Sequence, residues 1–111
     1  MKCRLGNTFG KFIKEKRLGK GLGLRELAEI LKVSPAYVSD VENGRRNPFK
    51  YLVLRKLISI LNLSDEESQE MYNCVGVDTD SIPPDIEAFI ATNRSCIKSL
   101  REWLLKENKK E

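Results

Sequence analysis

The stretch that most constrains the fold runs from Leu24 to Pro48 and reads LRELAEILKVSPAYVSDVENGRRNP. Its first part has apolar residues at the spacing i, i+3, i+4 and i+7, which predicts a short amphipathic helix: Leu24, Leu27, Ala28 and Leu31. Ser34 can then cap a second helix, and Pro35 suits the first position of that helix. This arrangement fits a helix-turn-helix, although on spacing alone a helical hairpin of any all-α protein fits equally well.

The second of these helices should bury Val38 and Val41 and end near Asn43 and Gly44. Gly44 suits a left-handed exit from the helix, and the RRNP that follows it makes a cationic loop. Ala28 has to be small because the two helices cross there. Val38 should fill the angle between them, so the crossing itself is predicted to be part of the core.

The rest of the chain also has a helical period, and no stretch alternates in the manner of a half-buried strand. A first helix, capped by Asn7 or Thr8, should end near Gly19 and carry Phe9, Phe12 and Ile13 on one side. A fourth helix is predicted from Phe49 to Leu61, central to the core because it is apolar nearly all round. A fifth should start at Ser64, which has capping-box spacing to Glu67, and run to about Val75.

The segment GVDTDSIPP lacks apolar periodicity and predicts a boundary between residues 1–76 and residues 77–111. Beyond it we expect a short helix in DIEAFIATN and a longer one, capped by Asn93, that reaches about Lys106. The last helix places one apolar stripe along its length: Cys96, Ile97, Leu100, Trp103 and Leu104. That stripe could cover the chain's own domain, form a dimer interface or bind a ligand or a partner protein, and the pattern leaves all three open.

Charge is divided unevenly along the chain of 111 residues. Residues 1–60 hold 14 Lys and Arg against 5 Asp and Glu, a net charge of +9, whereas residues 61–111 hold 6 against 11, a net charge of −5. The asymmetry favours a polyanion-binding half joined to a half with another task, although charged surfaces also keep proteins soluble.

Several classes of function are disfavoured by composition. The chain has no histidine, and its three cysteines (Cys3, Cys74 and Cys96) are scattered, which argues against a zinc site or a disulfide framework. We interpret each cysteine as a small hydrophobic residue or a bystander. No apolar run approaches the length of a membrane span, and the N-terminus has no signal-peptide core. We therefore expect a cytoplasmic protein with no catalytic activity, no cofactor and no metal.

Residues 8–63 resemble the phage-repressor type of helix-turn-helix regulator, the Cro and xenobiotic-response-element proteins of bacteria and phages. The resemblance rests on FGKFIKEKR followed by GLG, on LRELAEILKVSPAYVSDVENGRRNP, and on the apolar LISILNLS. It implies an all-α, five-helix DNA-binding domain whose third helix enters the major groove of double-stranded DNA, usually as a dimer on two half-sites. Here a C-terminal helical extension follows that domain.

The resemblance also implies roles for single residues. Positions facing base edges would be Pro35, Ala36, Ser39 and Asp40, with Ser34 and Tyr37 against the sugar–phosphate backbone. The loop that grips phosphates would comprise Asn43, Gly44, Arg45 and Arg46. Arg17 and Glu42 match a structural ion pair between the first and third helices. Apart from the resemblance, a continuous basic face that includes Arg25 and Lys50 would favour DNA as the partner. If the stripe of the last helix forms a homodimer, its interface residues would be Ile97, Leu100, Trp103 and Leu104.

The chain departs from the family pattern at three positions. Gly23 and Leu24 stand where a hydroxyl cap and a phosphate-binding glutamine are frequent, so Arg25 would have to replace that contact; Lys32 stands at the turn position often filled by glycine. Because Pro35 and Ala36 offer only apolar contact to a base, we expect salt-sensitive affinity with sequence choice from Ser39, Asp40 and DNA shape. The alternative is a protein-interaction module of the same fold, such as an antitoxin or antirepressor. No motif in the sequence points to a particular operator or to a small-molecule effector.

Overall fold

The computed structural model describes residues 7–109, so Cys3 lies outside the described residues. Within that range the chain forms seven α-helices and no strand: α1 (Thr8–Gly19), α2 (Leu24–Leu31), α3 (Pro35–Glu42), α4 (Tyr51–Ile60), α5 (Asp65–Thr79), α6 (Pro84–Thr92) and α7 (Cys96–Lys109). None of the described helices is both long and apolar enough to cross a membrane. The all-α architecture expected from the periodicity is confirmed.

One core joins the first five helices. Helix α1 packs against α3 and α5, and α2 packs against α3. Nearly every apolar position that the first three helices were predicted to bury is buried: Phe9, Phe12, Ile13, Leu27, Ala28, Leu31, Val38 and Val41. These side chains meet Leu54 and Leu57 from α4 and Met71 and Val75 from α5. The hydrophobic effect on this shared cluster therefore fixes the position of α2 and α3.

The turn between α2 and α3 follows from local chemistry. Lys32 adopts a left-handed backbone (φ 62°, ψ 42°), and the Val33 N–H donates to the Ala28 carbonyl at 3.0 Å. The chain then extends at Ser34, whose Oγ accepts a hydrogen bond from the Tyr37 N–H at 3.1 Å, and Pro35 begins the helix. A lysine thus occupies the left-handed position for which glycine would be the strain-free choice.

Helix α4 packs into the core, as its composition predicts, but one side of it is open to solvent. It begins at Tyr51, two residues later than expected, and it buries only Leu54 and Leu57 along its length. Leu52 lies two positions before Leu54, on the opposite side of the helix, and is 71% exposed. Because α4 is apolar nearly all round, the side that carries Leu52 stays in contact with water.

Helix α5 extends past its predicted end at Val75 and stops at Thr79, so the expected boundary after residue 76 falls inside a helix. The extension has a structural role, because the Asp78 carboxylate accepts hydrogen bonds from the start of α1. Its Oδ1 accepts from the Thr8 hydroxyl at 2.7 Å and the Thr8 N–H at 3.1 Å, and its Oδ2 accepts from the Phe9 N–H at 2.8 Å. A residue predicted to lie in a linker caps the first helix instead.

The C-terminal helices differ from the prediction in one detail. Asn93 does not cap α7 with its side chain; it ends α6, and its Nδ2 donates to the Phe89 carbonyl at 3.0 Å. Helix α7 begins three residues later, at Cys96.

The apolar stripe of α7 is not covered by the chain's own domain. Trp103 is 67% exposed and Leu104 58% exposed, Leu100 is also exposed, and Ile97 is half-buried. The Cα radius of gyration is 16.4 Å, compared with about 13 Å for a compact domain of this length. The stripe therefore does not pack as added core of its own domain, which was one of the three uses that the sequence left open.

Candidate nucleic-acid interface

A close approach of α1 to the end of α3 positions the candidate site. A Cβ atom on Gly10 would lie 2.5 Å from the Glu42 carbonyl oxygen and 2.6 Å from that of Val41, so only glycine allows this contact. The Asn7 side chain then donates from Nδ2 to the Glu42 carbonyl at 2.7 Å. Gly44 leaves the helix at φ +78°, which glycine adopts without strain. The loop after α3 is thus held against the start of α1.

A buried ion pair fixes the same junction from inside. Arg17 and Glu42 form two hydrogen bonds, Nε to Oε2 at 2.7 Å and Nη2 to Oε1 at 2.9 Å, with side chains 7% and 3% exposed. The remaining Nη1 donates to the Leu22 carbonyl at 3.0 Å. The bond to Glu42 raises the pKa of Arg17 despite the opposing effect of burial. Because the two carboxylate oxygens and the guanidinium are mutually satisfied, this pair is suited to orient α3 on α1.

The outer face of α3 carries the residues expected to meet bases. Ala36 is exposed, while Pro35, Ser39 and Asp40 are half-buried. The Ser39 Oγ lies 3.3 Å from Asn43 Nδ2, which donates to the Ser39 carbonyl at 2.9 Å. The two residues expected to face the sugar–phosphate backbone of DNA also have partners within the fold. Ser34 caps α3, and the Tyr37 ring packs edge-on against Phe49 with 5.5 Å between the ring centroids.

A polar groove beside α3 gathers cations from three parts of the chain. Its lining includes Lys11 from α1, Arg45 and Arg46 from the loop, and Lys50 at the start of α4. Asn43, Gly44 and Asn47 line it as well. The carboxylate among the lining residues is that of Asp78, whose oxygens are engaged by the start of α1. The groove can therefore present positive charge and amide donors to an anion.

The loop arginines are not simply solvated. Arg45 Nη1 lies 3.3 Å from Asp40 Oδ1, and Arg46 Nε lies 3.8 Å from Asp40 Oδ2. The Arg46 guanidinium also lies over the Tyr37 ring, 5.0 Å from its centroid. Both arginines thus fold back towards α3 rather than pointing away from it.

Of the predicted DNA-binding residues, Tyr37, Asn43, Gly44, Arg45, Arg46 and Lys50 line the groove, whereas Ser34, Pro35, Ala36, Ser39 and Asp40 lie on α3 or at its N-cap, outside the lining. Two further sets of predicted residues also lie apart from the groove. Arg25 is exposed in the first turn of α2 and is not among the lining residues. The residues expected to dimerise, Ile97, Leu100, Trp103 and Leu104, lie on α7. Within residues 7–109 no group of Cys, Asp and Glu is arranged to hold a metal ion. Cys74 and Cys96 are half-buried and unbridged, and burial raises the pKa of the Cys74 thiol, which keeps it protonated at neutral pH.

Lys11 and Asn7 are members of this site that sequence reasoning missed. Both belong to the first helical region, more than thirty residues before the loop that they join. The one available signal was Gly10, a glycine inside an otherwise helical pattern, which can mark a close helix approach. That signal does not say which element approaches.

Comparisons with known proteins agree with this geometry. Residues 8–71, more than half of the chain, match the family model described as a helix-turn-helix domain. The chain is also 40% identical over 58 residues to the ImmF control region 10 kDa protein of Bacillus phage phi105. That alignment covers 52% of this chain and 63% of the relative, so the chain spans less than two thirds of the relative's length. No solved structure matches the chain. From the matched residues and the geometry around α2 and α3, the chain belongs to the helix-turn-helix family, of the phage-repressor type.

Proposed function

We propose that this protein is a repressor-like transcriptional regulator that places α3 in the major groove of an operator and binds the flanking phosphates through the loop after α3. The observation that carries the proposal is the groove beside α3, where Lys11, Arg45, Arg46 and Lys50 come together. Charge-assisted hydrogen bonds from such cations to phosphate oxygens supply most of the sequence-independent affinity for DNA.

Sequence choice would come from the outer face of α3. Ser39 can exchange hydrogen bonds with any base edge, and Ala36 and Pro35 can touch a thymine methyl group. These contacts are few, so we expect modest base discrimination supplemented by DNA shape. Arg25, which lies apart from the groove, would contact a phosphate on the other side of α3.

The exposed stripe on α7 supports a homodimer. Leu100, Trp103, Leu104 and Leu105 are all exposed on this helix, and Ile82, Ile86 and Phe89 are exposed on or beside α6. Large exposed apolar side chains that adjoin one another are typical of protein–protein interaction sites. A second copy that covers them would set the distance between two half-sites and raise affinity through effective concentration.

The first experiment is a titration of fluorescent random-sequence duplex DNA at two salt concentrations, with light scattering to measure the mass in solution. We expect micromolar binding that weakens steeply with salt. The variant Arg45→Ala/Arg46→Ala should bind every duplex more weakly, and its slope of log affinity against log salt should fall by about one unit per arginine. The matched control Arg94→Ala/Arg101→Ala removes two arginines outside the groove and should leave the slope unchanged.

Two outcomes would contradict the proposal. Absence of binding even at low salt would move the interpretation to a protein-interaction module, such as an antitoxin or antirepressor. A loss confined to particular duplex sequences would show that the arginines read bases rather than phosphates. For the dimer, wild type should show twice the monomer mass, Leu100→Ala/Trp103→Ala should show the monomer mass, and Leu52→Ala, which truncates an exposed leucine on α4, should still dimerise.

A second candidate function follows from the residue types on the outer face of α3. Pro35 and Ala36 offer no hydrogen bond to a base, and the Asp40 carboxylate already engages both loop arginines. A surface of this kind could bind a protein instead of DNA. The DNA titration separates the two functions directly, because a protein-interaction module would show no salt-dependent affinity for duplex DNA.

A further inference from the structure

Asp40 has a set of contacts that a base-reading residue does not require. Its carboxylate lies 3.3 Å from Arg45 Nη1 through one oxygen and 3.8 Å from Arg46 Nε through the other. Its backbone carbonyl accepts a hydrogen bond from the Arg45 N–H at 2.8 Å. The loop is therefore tied to residue 40 through both the main chain and the side chains.

Arg46 is held at a second point. Its guanidinium stacks over the Tyr37 ring, one helical turn before Asp40 on α3. The Tyr37 ring is in turn braced edge-on against the buried Phe49. In the free protein, both arginines thus lie along the face of α3 that would meet DNA.

These contacts are exchangeable, in contrast to the pair that Arg17 forms with Glu42. The side chains of Arg45 and Arg46 are 66% and 60% exposed, and neither forms two hydrogen bonds to the same carboxylate. Solvent-exposed ion pairs contribute little free energy, so a phosphate with its full negative charge can displace the carboxylate.

We propose that Asp40 is an internal counter-anion for the loop arginines, which a DNA phosphate must replace on binding. The inference rests on the proposed function, because it assigns Asp40 a task in the same interface. Once Arg45 and Arg46 move to phosphates, the Asp40 carboxylate is left without its partners at the DNA surface.

That loss makes Asp40 a specificity-determining residue. A duplex that presents the cytosine N4 amino group opposite Asp40 returns a hydrogen bond to the carboxylate. Any other duplex leaves the carboxylate unpaired beside phosphates. Asp40 therefore lowers affinity for non-cognate DNA more than it lowers affinity for a cognate site, which is discrimination by penalising the wrong partner.

The test compares Asp40→Asn with wild type on random-sequence duplex DNA. We expect the variant to bind about threefold to tenfold more tightly, with a slope against salt that is steeper by up to about one unit. Asp80→Asn is the matched control. It makes the same change of charge at an exposed residue at the end of α5, and its backbone at φ +53° tolerates asparagine. It should bind like wild type.

A double-mutant cycle shows whether Asp40 acts through the arginines. In the Arg45→Ala/Arg46→Ala background, the gain from Asp40→Asn should be clearly smaller than in the wild-type background, because the arginines that Asp40 holds are absent and only the repulsion between its carboxylate and phosphate remains. A gain of equal size in both backgrounds would mean that the carboxylate only repels phosphate, and the inference would be wrong. Equal affinity of Asp40→Asn and Asp80→Asn, or weaker binding by Asp40→Asn, would overturn it as well.

Elution from immobilised heparin, a sulfated polyanion, provides a measurement that does not depend on DNA. Asp40→Asn should elute at higher salt than Asp80→Asn, and the difference should become smaller when both arginines are replaced. If wild type binds no duplex even at low salt, the proposed function fails, while the heparin comparison still decides whether Asp40 holds the arginines. If wild type binds duplex but the two asparagine variants elute together from heparin, only the present inference fails.

Discussion

The five-helix region (α1–α5), which contains the helix-turn-helix, and the C-terminal helix pair (α6 and α7) carry similar amphipathic patterns but lie in different surroundings. In the first region Ile13, Leu27 and Leu54 are completely buried. In the second, Phe89 and Trp103 leave more than half of their surface in contact with water. The same periodicity thus produced a closed core in one place and an open face in the other. An apolar stripe predicts that a surface needs cover, but it does not say whether the same chain supplies it.

The largest expected effect comes from breaking the buried ion pair between Arg17 and Glu42 in the five-helix region. Glu42→Gln leaves the Arg17 guanidinium buried without a charged partner, so we expect the free energy of unfolding to fall by about 3–5 kcal/mol. Lys16→Gln, which breaks the half-buried pair of Lys16 with Glu67 at 2.8 Å, is the control and should cause a smaller loss because water still reaches both side chains. Denaturant unfolding measures both. Equal losses would mean that burial does not distinguish the two pairs.

The same type of substitution, leucine to alanine, made once in each region tests the contrast in burial directly. Leu57→Ala empties a fully buried site in α4 and should lower the free energy of unfolding by about 2–5 kcal/mol. Leu104→Ala removes the same atoms from an exposed site on α7 and should change the stability of the monomer by less than about 0.5 kcal/mol. Unfolding is measured at low and high protein concentration. If α7 dimerises, the loss caused by Leu104→Ala should grow with concentration, whereas the loss caused by Leu57→Ala should be similar at both concentrations.

The contact between the end of α5 and the start of α1 is tested at Asp78. Asp78→Asn removes a carboxylate oxygen that accepts from the first N–H groups of α1, and we expect a loss of about 1–2 kcal/mol. Asp80→Asn, two residues later, contacts no helix terminus in this way and should be neutral. If both variants unfold like wild type, the Asp78 carboxylate does not stabilise the start of α1.

The smallest effect concerns acid. The hydrogen bond from Lys16, followed by the one with the Ser64 backbone, holds the pKa of Glu67 below its ordinary value of 4.5. A carboxyl group whose pKa is lower in the folded state stabilises the protein above its unfolded-state pKa, and that contribution is lost as the pH falls through the folded-state pKa. Thermal unfolding at pH 7 and at pH 3 should therefore show a smaller acid-induced drop in Tm for Glu67→Gln than for wild type. Glu29→Gln, an exposed residue on α2, should follow wild type.

Local signals were sufficient where neighbouring residues control the backbone. The hydroxyl of Ser34 and the ring of Pro35 act within one turn, and they set the start of α3 where the sequence predicts it. The capping-box spacing of Ser64 and Glu67 likewise marks the start of α5, where the Glu67 N–H donates to Ser64 Oγ at 3.1 Å and the Ser64 N–H donates to Glu67 Oε1 at 2.9 Å. The start of α1 differs, because the Asn7 side chain predicted as its cap forms no capping hydrogen bond and the remote Asp78 accepts from the first N–H groups instead.

Local signals failed at the end of α5. In isolation, Gly76 and the polar residues after it predict the end of a helix, yet α5 continues through Gly76 and ends at Thr79. The continuation places the Asp78 carboxylate against the N-terminus of α1, a partner seventy residues away in the chain. Because that partner is remote, no window of sequence around residue 78 contains the reason for the helix.

The sequence by itself determined the all-α class, the helix-turn-helix and the cationic loop, because each depends on caps, spacings and charges within a few residues of one another. Only the tertiary structure decided that Lys11 joins Arg45, Arg46 and Lys50 in one groove, that Asp40 engages two of these cations, and that Trp103 stays exposed. Each of these outcomes depends on which helix faces which. That choice is made by the packing of remote side chains, which a local pattern does not encode.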